Sequence, residues 1–173
     1  MLGGMPRATV RPSARVLLVD GRDRLLLYRG LGVGAGSGAA WFTPGGGVER
    51  GEAVAEAAVR ELREETGLAV APAELGPVVA TSEGHWRSRR GRLYYSVDSF
   101  FFVRVPEWEV DESGWQEYER KMITAVRWWS LPELAETSEQ VIPWELVPLM
   151  RRLLAGDIPG TPVVLPWHHA DPV

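Results

Sequence analysis

The stretch from Gly46 to Leu68 constrains this chain more than any other, because it opens on glycines and becomes a helix crowded with acid. Glycines at Gly45, Gly46 and Gly47 allow backbone to approach a ligand closely. Glu52 to Thr66 then carries the spacing of an amphipathic helix, with Ala55, Ala58, Val59 and Leu62 forming an apolar stripe. Gly67 suits the position just past its end. At about 100° per residue, Glu61 and Glu65 lie about 40° apart around the axis, with Glu64 about 60° to the other side of Glu61. Three carboxylates crowd one face, and like charges at that spacing repel. Such a face calls for something cationic.

The apolar stripe needs a sheet to pack on, and short apolar runs supply one. Ala14–Asp20 and Leu25–Arg29 read as strands joined by a turn at Asp20-Gly21-Arg22-Asp23. Trp41–Thr43, Leu75–Ser82, Tyr94–Val105 and Thr124–Trp129 read as further strands. A short helix starts at Leu131, with Pro132 in its first turn. A second amphipathic helix lies within Glu139–Ala155, its later part marked by Leu146, Leu149, Met150, Leu153 and Leu154. Between these, Gly30–Ala40, the basic Glu83–Leu93 and the acidic Trp108–Arg120 read as loops. The sum is an α/β fold, a mixed sheet between helices in an α/β/α sandwich. Residues 1–13 read as an N-terminal tail, 14–155 as one domain, and 156–173 as a Pro-rich C-terminal tail or clamp. Docking of that tail on a partner subunit would make a homodimer.

With 173 residues and 45% hydrophobic content, the chain suits one globular domain. It has no cysteine, which excludes disulfides and thiolate metal sites and suits a reducing cytoplasm. No apolar run approaches a membrane span, and the first fifteen residues lack a signal-peptide core. A net charge of −4 gives no general attraction to membrane or nucleic acid, so neither is expected as a partner.

The spacing Gly46, five residues, Glu52, seven residues, Arg60-Glu61-Leu62, one residue, Glu64-Glu65, one residue, Gly67-Leu68 resembles the Nudix box at every defining position. Pro44-Gly45-Gly46 and the later Arg127-Trp128-Trp129-Ser130-Leu131-Pro132-Glu133-Leu134 also resemble that family. The resemblance covers roughly residues 14 to 155. It implies a metal-dependent hydrolase that cleaves the pyrophosphate of a nucleoside diphosphate derivative, with Mg2+ or Mn2+ as cofactor. It further implies that Glu61, Glu64 and Glu65 hold the metal and that Gly46 contacts metal or phosphate. Arg60 orients the carboxylates, Glu52 gives structural support, and Glu64 leads the catalytic set. Family members often recruit a further Glu from a late loop, a role for which Glu117 and Glu119 are best placed; Asp98 on the long strand is an alternative. Arg29, Gly45 and His85 are the remaining candidates for binding substrate, and Arg87–Arg92 is either a phosphate contact or a solvated turn. The markers typical of ADP-ribose, diadenosine polyphosphate and NADH hydrolases are missing, so the substrate stays open. The rival reading is a non-catalytic nucleotide-binding domain on the same fold, which usually loses box carboxylates that this chain keeps.

Overall fold

The computed structural model describes residues 7–33, 38–88 and 90–169. The middle of the Gly30–Ala40 loop and Arg89 of the basic segment therefore lie outside the described residues, as do the first six residues of the N-terminal stretch. The elements run β1 (Thr9–Val19), β2 (Leu25–Gly30), β3 (Ala40–Phe42), β4 (Gly45–Gly47), α1 (Val54–Thr66), β5 (Val78–Arg87) and β6 (Leu93–Arg104). They continue with α2 (Glu117–Met122), β7 (Ile123–Trp129), α3 (Leu131–Glu136), β8 (Val141–Ile142), α4 (Leu146–Leu154) and β9 (Val163–Val164). Among the described residues no helix is long and apolar enough to cross a membrane.

The strands form one mixed sheet in the order β8-β3-β2-β1-β6-β5-β9, with β4 beside β1 and β7 beside β2. Helices cover both faces, which is why β1 reads as an unbroken apolar run rather than an alternating one. Its Ala14, Val16 and Leu18 pack with Ala57, Ala58 and Leu62 of α1. Its Leu17 and Val19 pack with Leu146, Leu149, Met150 and Leu153 of α4. Leu62 is fully buried, so truncating it to alanine would cost about 2–5 kcal/mol.

One irregularity of the sheet places the acid-bearing helix. β1 and β2 pair only through Val19 and Leu25. Toward its start β1 parts from β2 and pairs instead with β4, setting Ser13, Ala14 and Arg15 opposite Gly47, Gly46 and Gly45. The glycine turn is thereby a strand at the foot of α1.

Four segments differ from the sequence reading. Thr9–Ser13, read as tail, begins β1 and runs parallel to β6. Glu83–Arg87, read as the start of a basic loop, continues β5, and only residues 88–92 turn. The sequence there has no clean alternation, because one face is covered by a distant part of the chain, Trp167. The acidic stretch Trp108–Arg120 contains a 3-10 turn at Glu112–Gly114 and the start of α2, elements too short for periodicity to reveal. The C-terminal segment docks on its own sheet. Val163 and Val164 run parallel to Ala80 and Thr81, and the Leu165 N–H donates to the Thr81 carbonyl at 2.7 Å.

Candidate active site

Helix α1 is anchored at both ends. At its start the Glu56 carboxylate reaches back to accept from the Ala53 N–H at 2.8 Å. At its end Gly67 takes a left-handed conformation and donates to the Arg63 carbonyl. Carbonyls left free by the last turn are taken by aromatic donors. Tyr28 Oη and Trp115 Nε1 donate to the Glu65 carbonyl at 3.2 and 2.8 Å, and Trp108 Nε1 donates to that of Thr66 at 2.9 Å. Burial beside the acids pushes the Tyr28 hydroxyl far above its ordinary range, so it stays a neutral donor.

Arg60 ties the middle of the helix to the loop before it. Its Nε and Nη2 bind the two oxygens of Glu52 at 2.8 and 3.0 Å, and Nη2 also donates to the Gly47 carbonyl at 3.0 Å. Nη1 donates to Glu61 Oε1 at 2.7 Å and stands 3.6 Å from Glu64. The paired guanidinium holds the Glu52 carboxyl below its usual value.

Glu61 and Glu65 turn inward from the helix, and Glu119 meets them from α2. One oxygen from each lies within 4.8 Å of the others. All three are buried. Burial pushes the Glu61 carboxyl up against the pull of Arg60. It pushes Glu65 well up, against the Gly45 N–H that donates to Glu65 Oε2 at 2.7 Å. Repulsion from Glu61 and Glu119 adds to the Glu65 shift.

Glu119 is aimed by a local device. As the third residue of α2 it accepts from the Gln116 N–H at 2.7 Å. Glu117, two residues earlier, points to solvent and pairs with Lys121 at 2.6 Å. The structure thus separates two candidates that the sequence left together.

Gly46 lies against this cluster. A Cβ there would stand 2.5 Å from Glu61 Oε1, closer than the packing of real side chains allows. Glu64 is on the rim, about two-fifths exposed, and is not among the three converging acids. Arg29 is engaged elsewhere, with Glu139 at 2.9 Å and Thr124 at 3.4 Å. The His85 ring sits on Tyr95 at 4.7 Å. Asp98 accepts a short hydrogen bond from Ser13 Oγ on the neighbouring strand.

Arg15 is the residue that sequence reasoning passed over. It is half-buried on β1, donates to the Gly45 carbonyl at 3.2 Å and pulls on both Glu61 and Glu65. A lone arginine inside the apolar run Ala14–Val19 was the available signal.

The family model described as "NUDIX domain" matches residues 9–150. Among curated proteins the chain is similar to an RNA pyrophosphohydrolase of Novosphingobium aromaticivorans, at 42% identity over 72 residues, 42% of each chain. It is also similar to one of Teredinibacter turnerae, at 35% identity over 79 residues, 46% of this chain and 42% of that one. The match therefore spans less than half the length of these relatives. Among solved structures, a mutator MutT protein of Bacillus halodurans superposes with a TM-score of 0.60 at 21% identity, over 94% of this chain and 91% of the other. The dihydroneopterin triphosphate pyrophosphohydrolase of E. coli also gives 0.60, at 20% identity over 87% and 99%. At those identities the likeness is one of fold.

Proposed function

The chain belongs to the Nudix family, and on that premise we propose that it is a pyrophosphohydrolase that uses Mg2+ or Mn2+ to cleave a nucleoside diphosphate derivative. The observation that carries this reading is the convergence of Glu61, Glu65 and Glu119 within 4.8 Å. Two of these acids are disfavoured as anions, and the cluster is made wholly of hard oxygen donors. That donor set fits a hard divalent cation, which here would be held by Glu61, Glu65 and Glu119. When bound, such a cation neutralises phosphate charge and makes water more acidic.

The chain's own residues do the rest. Arg60 fixes Glu61 in position. Gly46, having no side chain, leaves the room that the Glu61 carboxylate fills, and the Gly45 N–H orients Glu65. Glu64, half-exposed next to Arg60, is the carboxylate left to take the proton of the attacking water. Glu52 locks Arg60, and Glu117 is left outside the site.

The reading is tested by screening nucleoside diphosphate derivatives with Mg2+ or Mn2+, comparing wild type with Glu61→Gln. Turnover by wild type and its loss in the variant is the expected result. Equal rates across the whole panel would leave a non-catalytic binding domain.

A second substrate reading, a 5′-triphosphate RNA end, is favoured by one feature of the surface. Tyr94 carries Arg11 at 4.3 Å and Arg92 at 5.7 Å over its ring, and Trp86 stacks on it at 4.7 Å. Basic groups interleaved with aromatic ones suit a single-stranded nucleic acid. The curated relatives carry the name RNA pyrophosphohydrolase. Adding a 5′-triphosphate oligonucleotide to the same screen separates the readings, since only the RNA substrate should lose rate steeply with salt.

A further inference from the structure

The last residues of the described chain seat on β5. After β9, Ser82 Oγ donates to the Pro166 carbonyl at 3.3 Å, and Trp167 Nε1 donates to the His85 carbonyl at 2.9 Å. The Trp167 indole lies so close to Gly84 that any side chain there would overlap it. This seat fixes His168, which is 7% exposed and packs on Trp167 with ring centroids 4.3 Å apart.

His168 is held there at a cost. Its Nδ1 is buried with no hydrogen-bond partner among the described residues. Buried polar atoms are nearly always paired, so an orphan of this kind needs an explanation. Burial, His169 and Arg15 together push the imidazole down to about 3, so it is neutral. Arg15 is likewise incompletely used. It makes no ion pair among the described residues, and its one hydrogen bond is to the Gly45 carbonyl. A half-buried guanidinium has five donors to place. The two under-used groups, one cationic and one neutral, stand on one side of the sheet: Pro166 sits on Ser82, Ser82 is opposite Asp98, and Asp98 is opposite Ser13, two residues from Arg15; Arg15 in turn borders Gly45 and draws on Glu61 and Glu65. Asp98 faces the same side through its attraction for His169, but its carboxylate already accepts from Ser13.

We infer that the C-terminal segment forms part of the substrate-binding wall, and that His168 and Arg15 together hydrogen-bond a phosphate group of the substrate beside the carboxylate centre. This rests on the pyrophosphohydrolase reading and adds to it a substrate-positioning residue far outside the glycine-to-glutamate stretch. A guanidinium with a neutral N–H donor suits a phosphate oxygen, and the neutral ring donates without adding a charge that the nearby acids would have to balance. The seat built by Trp167 and Gly84 holds the imidazole at its post before substrate arrives.

Two measurements test this on the full chain. In the first, kinetics with the substrate found by the screen compare wild type, His168→Phe, His168→Asn and Arg15→Met. His168→Phe keeps a ring and loses the nitrogens. It should raise KM about tenfold, the worth of one hydrogen bond to a charged group, while kcat stays within about twofold. His168→Asn, whose amide nitrogen can stand in for Nδ1, should recover most of that loss. An unchanged KM in His168→Phe overturns the inference. So does a lowered KM, which would make the segment an obstruction, and so does a failure of asparagine to rescue.

The second measurement needs no turnover. The chain has three histidines, so a long-range 1H–15N spectrum can resolve each ring. Inorganic pyrophosphate with Mg2+ should shift the His168 Nδ1 signal together with the Gly45 amide. A shift at Gly45 with His168 silent overturns the inference, as does silence at both. Because this titration does not depend on hydrolysis, the positioning role can fail while the hydrolase reading stands, or survive if the screen finds no substrate.

Discussion

Glu65 and His168 are both buried, ionisable and disfavoured as ions, yet they are held in opposite ways. Glu65 has a backbone donor on its carboxylate, two side-chain donors on its carbonyl and two acids for neighbours. His168 is gripped by packing, while its Nδ1 lacks a partner among the described residues. The first is a position whose surroundings disfavour a bare anion. The second is a position whose surroundings specify only a place. A buried charge that its neighbours repel is costly unless a counter-ion is part of the design. A buried neutral nitrogen costs less, and a single ligand atom offsets it.

The largest test of this contrast is Glu65→Gln. The amide oxygen can still accept from the Gly45 N–H, so the fold should survive. Losing the carboxylate should lower kcat by about 10²–10³-fold, the usual scale for one preorganised charge. In metal-free samples the variant should melt higher than wild type, because a strained anion has been removed. A variant with wild-type kcat would break the comparison at its root.

Gly46→Ala comes next. The added methyl must push the Glu61 carboxylate aside, and displacing a catalytic group by about 1 Å costs up to about 10²-fold in rate. Kinetics and circular dichroism should show a slow enzyme with an unchanged fold. A normal rate would mean that the acids tolerate rearrangement, and that their convergence is less exacting than it looks.

Arg60→Met addresses stability more than chemistry. It strands Glu52, the Gly47 carbonyl and Glu61 at once, and losses of hydrogen bonds to charged groups run to about 1–3 kcal/mol. Urea denaturation should report a drop of that order. No change would place Arg60 among ordinary surface ion pairs.

The smallest effect is on the pH dependence of melting. The folded-state value of Glu65 is raised, so the native protein binds a proton that the unfolded chain has already released above the ordinary 4.5. Stability is full below that value and is lost as pH climbs through the raised one. Metal-free protein should therefore melt a few degrees lower as pH rises, on the order of 2–4 °C per kcal/mol for a domain of this size. Glu65→Gln should flatten the slope, and Mg2+ should offset it. A slope that persists in the variant would assign the effect to other groups.

The contrast also explains what could be read from the chain alone. The acids of α1 were legible because their spacing is local and one turn of helix turns it into geometry. Glu119 was half legible. Its place before the Arg127–Trp128 strand made it a candidate, but Glu117 shared that place, and only the backbone donor at Gln116 decides which acid turns inward. Glu64 was expected among the converging acids, and the structure has Glu119 in that company. Arg15 and His168 were opaque, since each matters through partners thirty or more residues away. The same holds for Glu83–Arg87, a strand whose covering residue lies at the other end of the sequence.

The aromatic grip on the last turn of α1 has a consequence for how this molecule can come apart. Helix ends ordinarily fray, and fraying is the cheapest motion a domain has. Here the carbonyls of Glu65 and Thr66 are closed by Tyr28, Trp108 and Trp115, which belong to the central sheet and to the acidic stretch beyond it. Opening that turn would mean pulling indole and phenol groups from the main core. The acid-bearing end of the helix therefore belongs to the same cooperative unit as the sheet, so amide exchange there should follow global unfolding, and the site should be lost on heating only when the whole domain is.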